Sequence, residues 1–391
     1  MANRPPESVI ELLQDMVRID TVNTALTGKP EAEAELVAML AQIAGQWMLE
    51  IELLPVQGQA SQLLLTHRVG HDRPWILFDS HLDTVAVDHM TIDPFAAELR
   101  EGKVFGRGTC DTKGTGAAML WALRDYAQQS DQPNNIALLF SVDEEIAMTG
   151  IQSFVNNDLP RLGWSPEMVI VGEPTEHVPV IAHNGCVRWE IETHGKAAHS
   201  STPWEGHSAI TDMVKVLLLL QRDYIDKLDA EHDLTGRAVS SVNVIKGGNA
   251  PNIIAEHCAC EVDRRVVPGE DPQAVLPAVA ALLDALKADD EAFTYTQTLK
   301  VAHPPLLPES SEPILPLVKQ AINACGVRKP NVGAPFATHA GYLAQAGHPT
   351  LVLGPGSPYP AHTKDEWVSV AEIELGVKVY TALMNSDFKN Q

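Results

Sequence analysis

The sequence is poor in cysteine, with 5 cysteines among 391 residues. Because the count is odd and the chain is long, we do not expect a disulfide framework. Cys258 and Cys260 alternate as in a strand, which would put both side chains on one face. They could form half of a metal site, but no second cysteine pair completes it. Buried core positions are therefore the simpler interpretation.

Basic residues are also scarce. The chain has 28 Lys and Arg against 51 Asp and Glu, so its formal net charge is −23. Nucleic-acid binding needs a basic surface, and this balance disfavours it. The acidic excess fits either a plainly solvated surface or a cationic or metal-bound partner.

Long apolar runs are absent as well. No segment approaches the ~18 consecutive apolar residues of a membrane-spanning helix. The chain starts Met-Ala-Asn-Arg-Pro-Pro-Glu and no apolar segment follows these charges, so we expect no signal peptide. Together these absences predict a cytoplasmic protein, either an enzyme or a binding protein, with no membrane partner.

What the sequence does contain is a regular alternation of helix and strand patterns up to residue 171. Helix patterns cover 7–19, 31–48 and 114–127, and another begins at 149; strand patterns cover 51–56, 61–66, 75–80, 135–142 and 167–171. This alternation predicts an α/β sheet with helices on both faces. In such sheets, ligands gather beyond the carboxyl ends of the strands.

The pattern changes after Glu173. Strand, helix, strand, strand, helix and strand patterns follow at 186–193, 202–222, 238–245, 257–265, 272–288 and 293–300. This is the ferredoxin-like order. We therefore predict an inserted α+β domain at residues 183–299. Residues 1–182 and 300–391 would form the first domain, since helix and strand patterns resume at 312–324 and 348–353.

Groups that bind divalent metals follow several of the apolar segments. They come directly after a strand pattern, in a glycine-rich turn or near the C-terminal end of the sequence, at His81, Asp83, Asp111, Glu144, Glu145, Glu173 and His362. Singly, each has an ordinary explanation as a loop hydrogen-bond pair, a solvated turn or a helix cap. Together, repelling carboxylates at one sheet edge need a cation to be stable. With two imidazoles they suit zinc, cobalt or manganese.

In this order the motifs resemble those of the co-catalytic zinc amidohydrolase and exopeptidase family. That family includes acetylornithine deacetylase, succinyl-diaminopimelate desuccinylase, aminoacylase and carboxypeptidases. The resemblance runs over nearly the whole chain and is closest to acetylornithine deacetylase in the segments 102–109, 143–150, 172–175, 195–201 and 349–357. It implies a mixed-sheet, zinc-exopeptidase-like domain that binds metal, with an inserted ferredoxin-like domain that acts as a lid and pairs two subunits.

The resemblance also implies a set of metal ligands. Two divalent ions would be bound per subunit, most simply zinc, with cobalt or manganese as alternatives. Asp111 would bridge them, His81 and Glu173 would complete one site, and Glu145 and His362 would complete the other.

Further roles follow from the same resemblance. Asp83 would lie behind His81 and set its tautomer and basicity. Glu144 would be the general base, taking a proton from the attacking water and passing it to the leaving amine. Because Glu144 and Glu145 are adjacent on an extended backbone, they cannot both point the same way. One can therefore bind metal while the other faces the water.

In the inserted domain the resemblance assigns three more residues. His199 would donate to the developing oxyanion, reaching the site of the partner subunit. Asn252 and Arg265 would bind the carboxylate of the substrate, and Arg offers a bidentate fork for it. Without the resemblance, His199 is an exposed histidine on a turn and Arg265 an ordinary surface arginine.

One position departs from the family pattern. Where an acidic residue is common, this chain has Thr338-His339-Ala340. If that position contacted the amine of the substrate, His339 would disfavour a cationic, ornithine-like side chain.

The expected function is hydrolysis of the amide bond of an N-acyl amino acid in amino-acid metabolism. Acetylornithine deacetylase activity is the nearest match, and other N-acyl amino acids, N-succinyl-diaminopimelate and short peptides are alternatives. A catalytically silent binding protein on the same fold is a further alternative. The complete set of ligands and Glu144 favours an enzyme over that alternative.

Overall fold

The computed structural model describes residues 4–388, which divide into two compact units. The first unit comprises residues up to 181, together with 308–332 and those from 338 onward; the second comprises 182–307 and 333–337. The domain boundaries proposed from the sequence, with a domain inserted at residues 183–299, stay a prediction.

The helices and strands follow one another in a largely alternating order. The helices are α1 Val9–Val17, α2 Thr24–Thr27, α3 Ala34–Gln46, α4 Lys113–Ala127, α5 Thr149–Ser153, α6 Leu159–Leu162, α7 Ala209–Leu219, α8 Val275–Asp289, α9 Pro308–Ser311, α10 Leu315–Ala324, α11 Ala340–Gln345 and α12 Val370–Met384. The strands are β1 Glu50–Leu54, β2 Gln62–His67, β3 Trp75–His81, β4 Glu98–Arg100, β5 Lys103–Phe105, β6 Asn135–Ser141, β7 Pro166–Val171, β8 Val180–His183, β9 Gly185–His194, β10 Glu231–His232, β11 Gly236–Arg237, β12 Val239–Gly247, β13 His257–Val266, β14 Thr294–His303, β15 Val332–Ala334, β16 Thr350–Val352 and β17 Trp367–Ser369.

The first unit is built on a mixed sheet in the order β1-β2-β6-β3-β7-β16-β8-β15. Strands β6, β3, β7 and β16 run parallel, whereas β1, β2 and β8 pair antiparallel. The chain passes from the first unit into the second within β8 and again within β15. The α/β prediction with a mixed sheet is confirmed.

The central strands are covered on both faces. Every residue of β3 and of β6 is buried, which is typical of strands flanked on both sides in α/β proteins. Helix α4 approaches this sheet closely because it carries glycine near its start. A Cβ on Gly116 would lie 2.8 Å from Phe140 Cε1 and 3.0 Å from Ser80 Oγ. The N-terminal end of α4, just after Asp111, is thereby held against the ends of β3 and β6.

The second unit contains a four-stranded antiparallel sheet in the order β12-β13-β9-β14. Taken along the chain, its elements run β9, α7, β12, β13, α8, β14, so the ferredoxin-like prediction is confirmed. Cys258 and Cys260 are buried in its apolar core with Trp189, and the cysteines of the described chain are all free thiols.

Some predicted boundaries were wrong. Helix α7 begins at Ala209 rather than at Thr202, because Ser208 caps its N-terminus by accepting a hydrogen bond from the Thr211 N–H. The residues before it form a loop with a short 3₁₀ turn. The long helix α12 had not been predicted. Within residues 4–388, no helix is both long and apolar enough to cross a membrane.

Candidate metal centre

Most of the predicted ligands come together at one edge of the sheet in the first unit. His81 is the last residue of β3, Glu144 and Glu145 follow β6, and Glu173 follows β7. Because β3, β6 and β7 are parallel, their carboxyl ends lie at the same edge. Asp111 arrives there from the glycine-rich turn before α4.

The carboxylate of Asp111 lies between two imidazoles. Its Oδ1 is 3.0 Å from His81 Nε2, and its Oδ2 is 3.1 Å from His362 Nε2. His362 Nε2 also lies 3.2 Å from the Glu145 carboxylate, and His81 Nε2 lies 4.0 Å from Glu173 Oε1. The five predicted ligands therefore form one continuous cluster with Asp111 at its centre.

Two overlapping groups within the cluster have the geometry of a metal site. Candidate ligand atoms of His81, Asp111 and Glu145 all lie within 4.8 Å of one another, and so do those of His81, Glu144 and Glu173. Imidazole and carboxylate donors of this kind suit divalent transition metals.

The electrostatics of the cluster favour a bound cation. Burial, reinforced by neighbouring carboxylates, raises the pKa of Glu144, Glu145 and Glu173 above the ordinary value. Hydrogen bonds to Asp111 and Glu145 raise the pKa of His362 to about 11. Without a metal, protons thus supply the positive charge that these groups need.

The residues present also fit a metal-bound water. Glu144 is buried, and its Oε1 has no hydrogen-bond partner within the described part of the chain. A buried carboxylate oxygen without a partner is costly. At the edge of a metal cluster, a water molecule would satisfy it.

Asp83 supports the cluster in a way that the sequence did not reveal. His81 Nδ1 lies 2.9 Å from the backbone carbonyl oxygen of Asp83, whereas the Asp83 carboxylate is 3.6 Å away, which is too long for a hydrogen bond. The carboxylate instead accepts hydrogen bonds from the backbone N–H groups of Glu144, at 2.9 Å, and Glu145, at 3.1 Å. The same residue therefore orients both sides of the site.

Glu366 was missed by the sequence analysis. Its Oε1 accepts hydrogen bonds from the N–H of Cys110 at 2.9 Å and of Asp111 at 3.1 Å. Its Oε2 forms a 2.6 Å ion pair with Arg107, and both side chains are buried. This pair joins the Asp111 turn to the segment that follows His362. The only signal in the sequence was an arginine inside the glycine-rich turn.

His339 does not lie at a surface that a substrate could contact. Its side chain is 1% exposed, and its Nδ1 is 2.8 Å from Asp79 Oδ2. Ser141 Oγ donates to the other oxygen of Asp79 at 2.7 Å. The condition under which His339 would bear on the side chain of the substrate is therefore not met, because its partner is the buried Asp79.

Three predicted residues lie in the second unit. His199 is exposed, and its Nδ1 accepts a hydrogen bond from the Ser201 N–H at 3.1 Å, so neutral His199 carries its proton on Nε2. The Asn252 carbonyl oxygen accepts from Ser200 N at 3.0 Å, and a β-bridge pairs His199 with Ile253. His199 and Asn252 are thus on adjacent segments.

Arg265 lies on β13 and forms a 2.8 Å ion pair with Asp263. Arg188 binds the same carboxylate at 2.8 Å. The neighbouring Arg264 points the other way, is buried, and pairs with Glu270 at 2.6 Å. Of the two adjacent arginines, Arg265 is therefore the accessible one.

Solved structures of peptidases share this fold. A metallo-carboxypeptidase from Sulfolobus solfataricus has a TM-score of 0.81 at 15% identity, covering 97% of this chain and 99% of that one. A tripeptidase from Staphylococcus aureus has a TM-score of 0.77 at 20% identity, covering 96% and 97%. A Bacillus subtilis protein described as a dinuclear metal-binding peptidase has a TM-score of 0.70 at 16% identity, covering 96% of each chain.

The fold and the cluster at the sheet edge define the class of metal-dependent hydrolases. The family model of peptidase family M20/M25/M40 matches residues 77–386, so the chain belongs to this family. It is accordingly an enzyme of the metallopeptidase and amidohydrolase type.

The pKa shifts predict how metal removal depends on pH. Glu144, Glu145, Glu173, His81 and His362 all have raised folded-state pKa values. In the absence of metal, protonation of these groups stabilises the folded state. This contribution is complete below their unfolded-state pKa values, about 4.5 for Glu and about 6.5 for His, and it is lost as the pH rises through their folded-state pKa values. Metal binding needs these groups deprotonated. The rise in Tm on adding Zn²⁺ to chelator-treated protein should therefore be larger at pH 8 than at pH 5.5, measured by differential scanning fluorimetry.

Asp111→Asn is the control for this experiment. It removes a charge from the centre of the cluster and should abolish most of the Zn²⁺-induced rise in Tm at both pH values. An equal rise at both pH values in the wild type would contradict the assignment of His81, Glu145, Glu173 and His362 as ligands.

Proposed function

We propose that the enzyme hydrolyses the amide bond of an N-acyl amino acid, with N-acetylornithine as the nearest match to its motifs. The geometry around Asp111 is the observation that supports hydrolysis. Its two oxygens face two different imidazoles, while the partnerless Glu144 Oε1 is buried beside them. This arrangement would suit two ions with a carboxylate between them and a base next to them.

The residues that would hold the ions divide into two sets. His81 and Glu173 would bind one ion, Glu145 and His362 the other, and Asp111 both. Zinc is the simplest assignment, with cobalt and manganese as alternatives. Such ions polarise the amide carbonyl and lower the pKa of bound water toward neutrality.

The chain's own groups would perform the proton transfers. Glu144 would take a proton from the attacking water and deliver it to the leaving amine; burial raises its pKa, which suits a group that must carry a proton at neutral pH. Asp83 would keep Glu144 in place through the backbone N–H that it binds.

The second unit would supply substrate contacts. His199, with its proton on Nε2, would donate to the oxygen that becomes negative in the transition state. Asn252 would bind the substrate carboxylate together with Arg265. Arg265 would exchange part of its pairing with Asp263 for the substrate, which a planar guanidinium can do while keeping one hydrogen bond.

A short peptide is the second candidate substrate. It is supported by the family description and by the carboxypeptidase and tripeptidase activities named for the solved structures. Peptides and N-acyl amino acids share an amide bond next to a free carboxylate. We propose that the enzyme acts on such compounds in the cytoplasm, since free thiols fit a reducing compartment.

A hydrolysis panel on zinc- or cobalt-reconstituted enzyme tests the substrate assignment. It would contain N-acetylornithine, other N-acetyl amino acids, N-succinyl-diaminopimelate and several di- and tripeptides, each with and without chelator. We expect chelator-sensitive turnover, fastest with N-acetylornithine. Faster turnover of a peptide would change the substrate assignment to a peptide. No turnover of any compound, with two metals bound, would favour a catalytically silent binding protein.

Glu144→Gln tests the base. The substitution keeps the size of the side chain but removes its proton affinity, so kcat should fall by roughly 10²–10⁴-fold. Metal content, measured by elemental analysis, should stay near that of the wild type. Glu145→Gln is the contrasting variant, and we expect it to lose metal. A Glu144→Gln enzyme with the wild-type rate would refute the assignment.

We also propose that two copies of the chain pair through the second unit. Helix α7 exposes Ile210, Val214 and Leu218, which recur every four residues and so form one stripe. Strand β12 is the outer strand of its sheet, and it exposes Val239 and Ile245. An unpaired edge beside an apolar stripe favours pairing with a second copy of itself, since a two-fold axis matches the same surface on both.

Leu218→Asp tests this pairing. Light scattering after size-exclusion chromatography should give about twice the 42.4 kDa chain mass for the wild type and a smaller mass for the variant, because a charge would be buried in the interface. Leu53→Asp, at a similarly exposed leucine of the first unit, is the matched control and should leave the mass unchanged. A monomeric wild type would exclude the proposal.

A further inference from the structure

Asn23 lies beside the metal centre, and its side chain is fully buried. Its amide nitrogen donates to Asp83 Oδ2 at 2.8 Å and to Asp143 Oδ1 at 3.0 Å. Its side-chain oxygen accepts from the Ala25 N–H at 2.9 Å. The orientation of the amide follows from these partners, since the reverse would turn an oxygen toward two carboxylates. Both of its N–H donors are therefore committed to the two acids.

The backbone of Asn23 is held next to the loop that follows β3. Asn23 N donates to Thr84 O at 3.0 Å, and Thr84 N donates to Thr21 O at 3.0 Å. A parallel β-bridge joins Val22 to Thr84. The backbone of Asn23 is therefore fixed, so its side-chain amide can hold the two carboxylates in place.

The two acids that Asn23 holds set the course of the segment that carries Glu144. Asp83 accepts the backbone N–H groups of Glu144 and Glu145. Asp143 has a φ of 61°, an uncommon conformation for a residue with a side chain. Its Oδ2 accepts the hydroxyl of Thr149 at 2.5 Å. The turn after β6 thus depends on both carboxylates.

Buried carboxylates are concentrated around Asn23. Glu33 is also fully buried, and burial together with the charge of Asp83 raises its pKa to about 7. Asn23 is the side-chain amide that bridges Asp83 and Asp143. Its loss would leave two buried carboxylates close together with fewer donors, which is costly in a medium of low dielectric constant.

We propose that Asn23 is a positioning residue for the reaction of this site. By holding Asp83 and Asp143, it fixes the turn that carries Glu144, the proposed base, and Glu145, a proposed metal ligand. Asn23 does not touch the substrate. The role rests on the proposed function of Glu144 and Glu145, and it extends that function to a residue of the N-terminal segment.

The test compares Asn23→Ala with Asn134→Ala. Asn134 is also buried and also donates two hydrogen bonds, at 2.9 and 2.8 Å, but to the backbone oxygens of Met384 and Ser386. Asn23→Ala removes three side-chain hydrogen bonds and Asn134→Ala removes two, so both should lower the Tm. Only Asn23→Ala should lower kcat, by roughly 10–100-fold, with KM nearly unchanged because no substrate contact is lost.

The absorption spectrum of the cobalt-substituted enzyme gives a readout that does not depend on turnover. We expect a changed cobalt spectrum and weaker Co²⁺ binding for Asn23→Ala, and the wild-type spectrum for Asn134→Ala. Asn23→Ser keeps one donor and should be intermediate in both kcat and spectrum. It also keeps the test decisive if Asn23→Ala does not fold.

A double-mutant cycle identifies the partner. If Asn23 acts through Asp143, the loss of kcat in the double variant Asn23→Ala/Asp143→Asn should be smaller than the two single losses combined. Asn23→Ala leaves the Asp143 carboxylate without its hydrogen-bond donor, and Asp143→Asn removes the charge of that carboxylate. Additive effects, or a wild-type kcat and cobalt spectrum in Asn23→Ala, would overturn the proposal. If the wild type cleaves nothing in the panel, the proposed function fails, whereas the cobalt measurements still decide the role of Asn23.

Discussion

Several carboxylates converge on one edge of a parallel sheet, and two imidazoles are the nearest positive groups. Burial raises the pKa of Glu144, Glu145 and Glu173, so their charged forms are unfavourable without a cation. Asp111 is central, because both of its oxygens are engaged by histidines. Two divalent ions would replace the protons and turn this electrostatic conflict into a binding site. Much of the nearby structure holds these groups together against their mutual repulsion.

That support comes from distant parts of the chain. Glu366 receives the backbone of the Asp111 turn and is itself neutralised by Arg107. On the other side, Asn23 joins Asp83 to Asp143. Each anchor is buried and uses its hydrogen-bonding atoms in full or nearly so, which is how the ligands of metal sites are usually oriented. The centre is therefore a feature of the whole first unit and not of one motif.

The second unit shows which features of a fold the periodicity of the sequence can predict. Alternating burial along β9 and β13 is written directly into the sequence, and so is the order of strands and helices. The start of α7 was wrong by several residues. Pro203 and Gly206 interrupt the helix pattern after Thr202, and the helix begins only after the cap at Ser208. The environment of His339 was likewise not visible in the sequence. A histidine in a polar motif gives no sign that its partner is a buried aspartate.

The sequence by itself determined the α/β and ferredoxin-like order, the ligand candidates from His81 to His362 and the resemblance to metal-dependent amidohydrolases, because these depend on residue type and on spacing along the chain. Only the tertiary structure decided which groups meet. It set Asp111 between two imidazoles, gave the Asp83 carboxylate to two backbone N–H groups, and brought Glu366 and Asn23 to the site. Such contacts join residues 30 to 256 positions apart. Local pattern carries no information about them, because they arise from the packing of strands whose order in the sheet differs from their order in the chain.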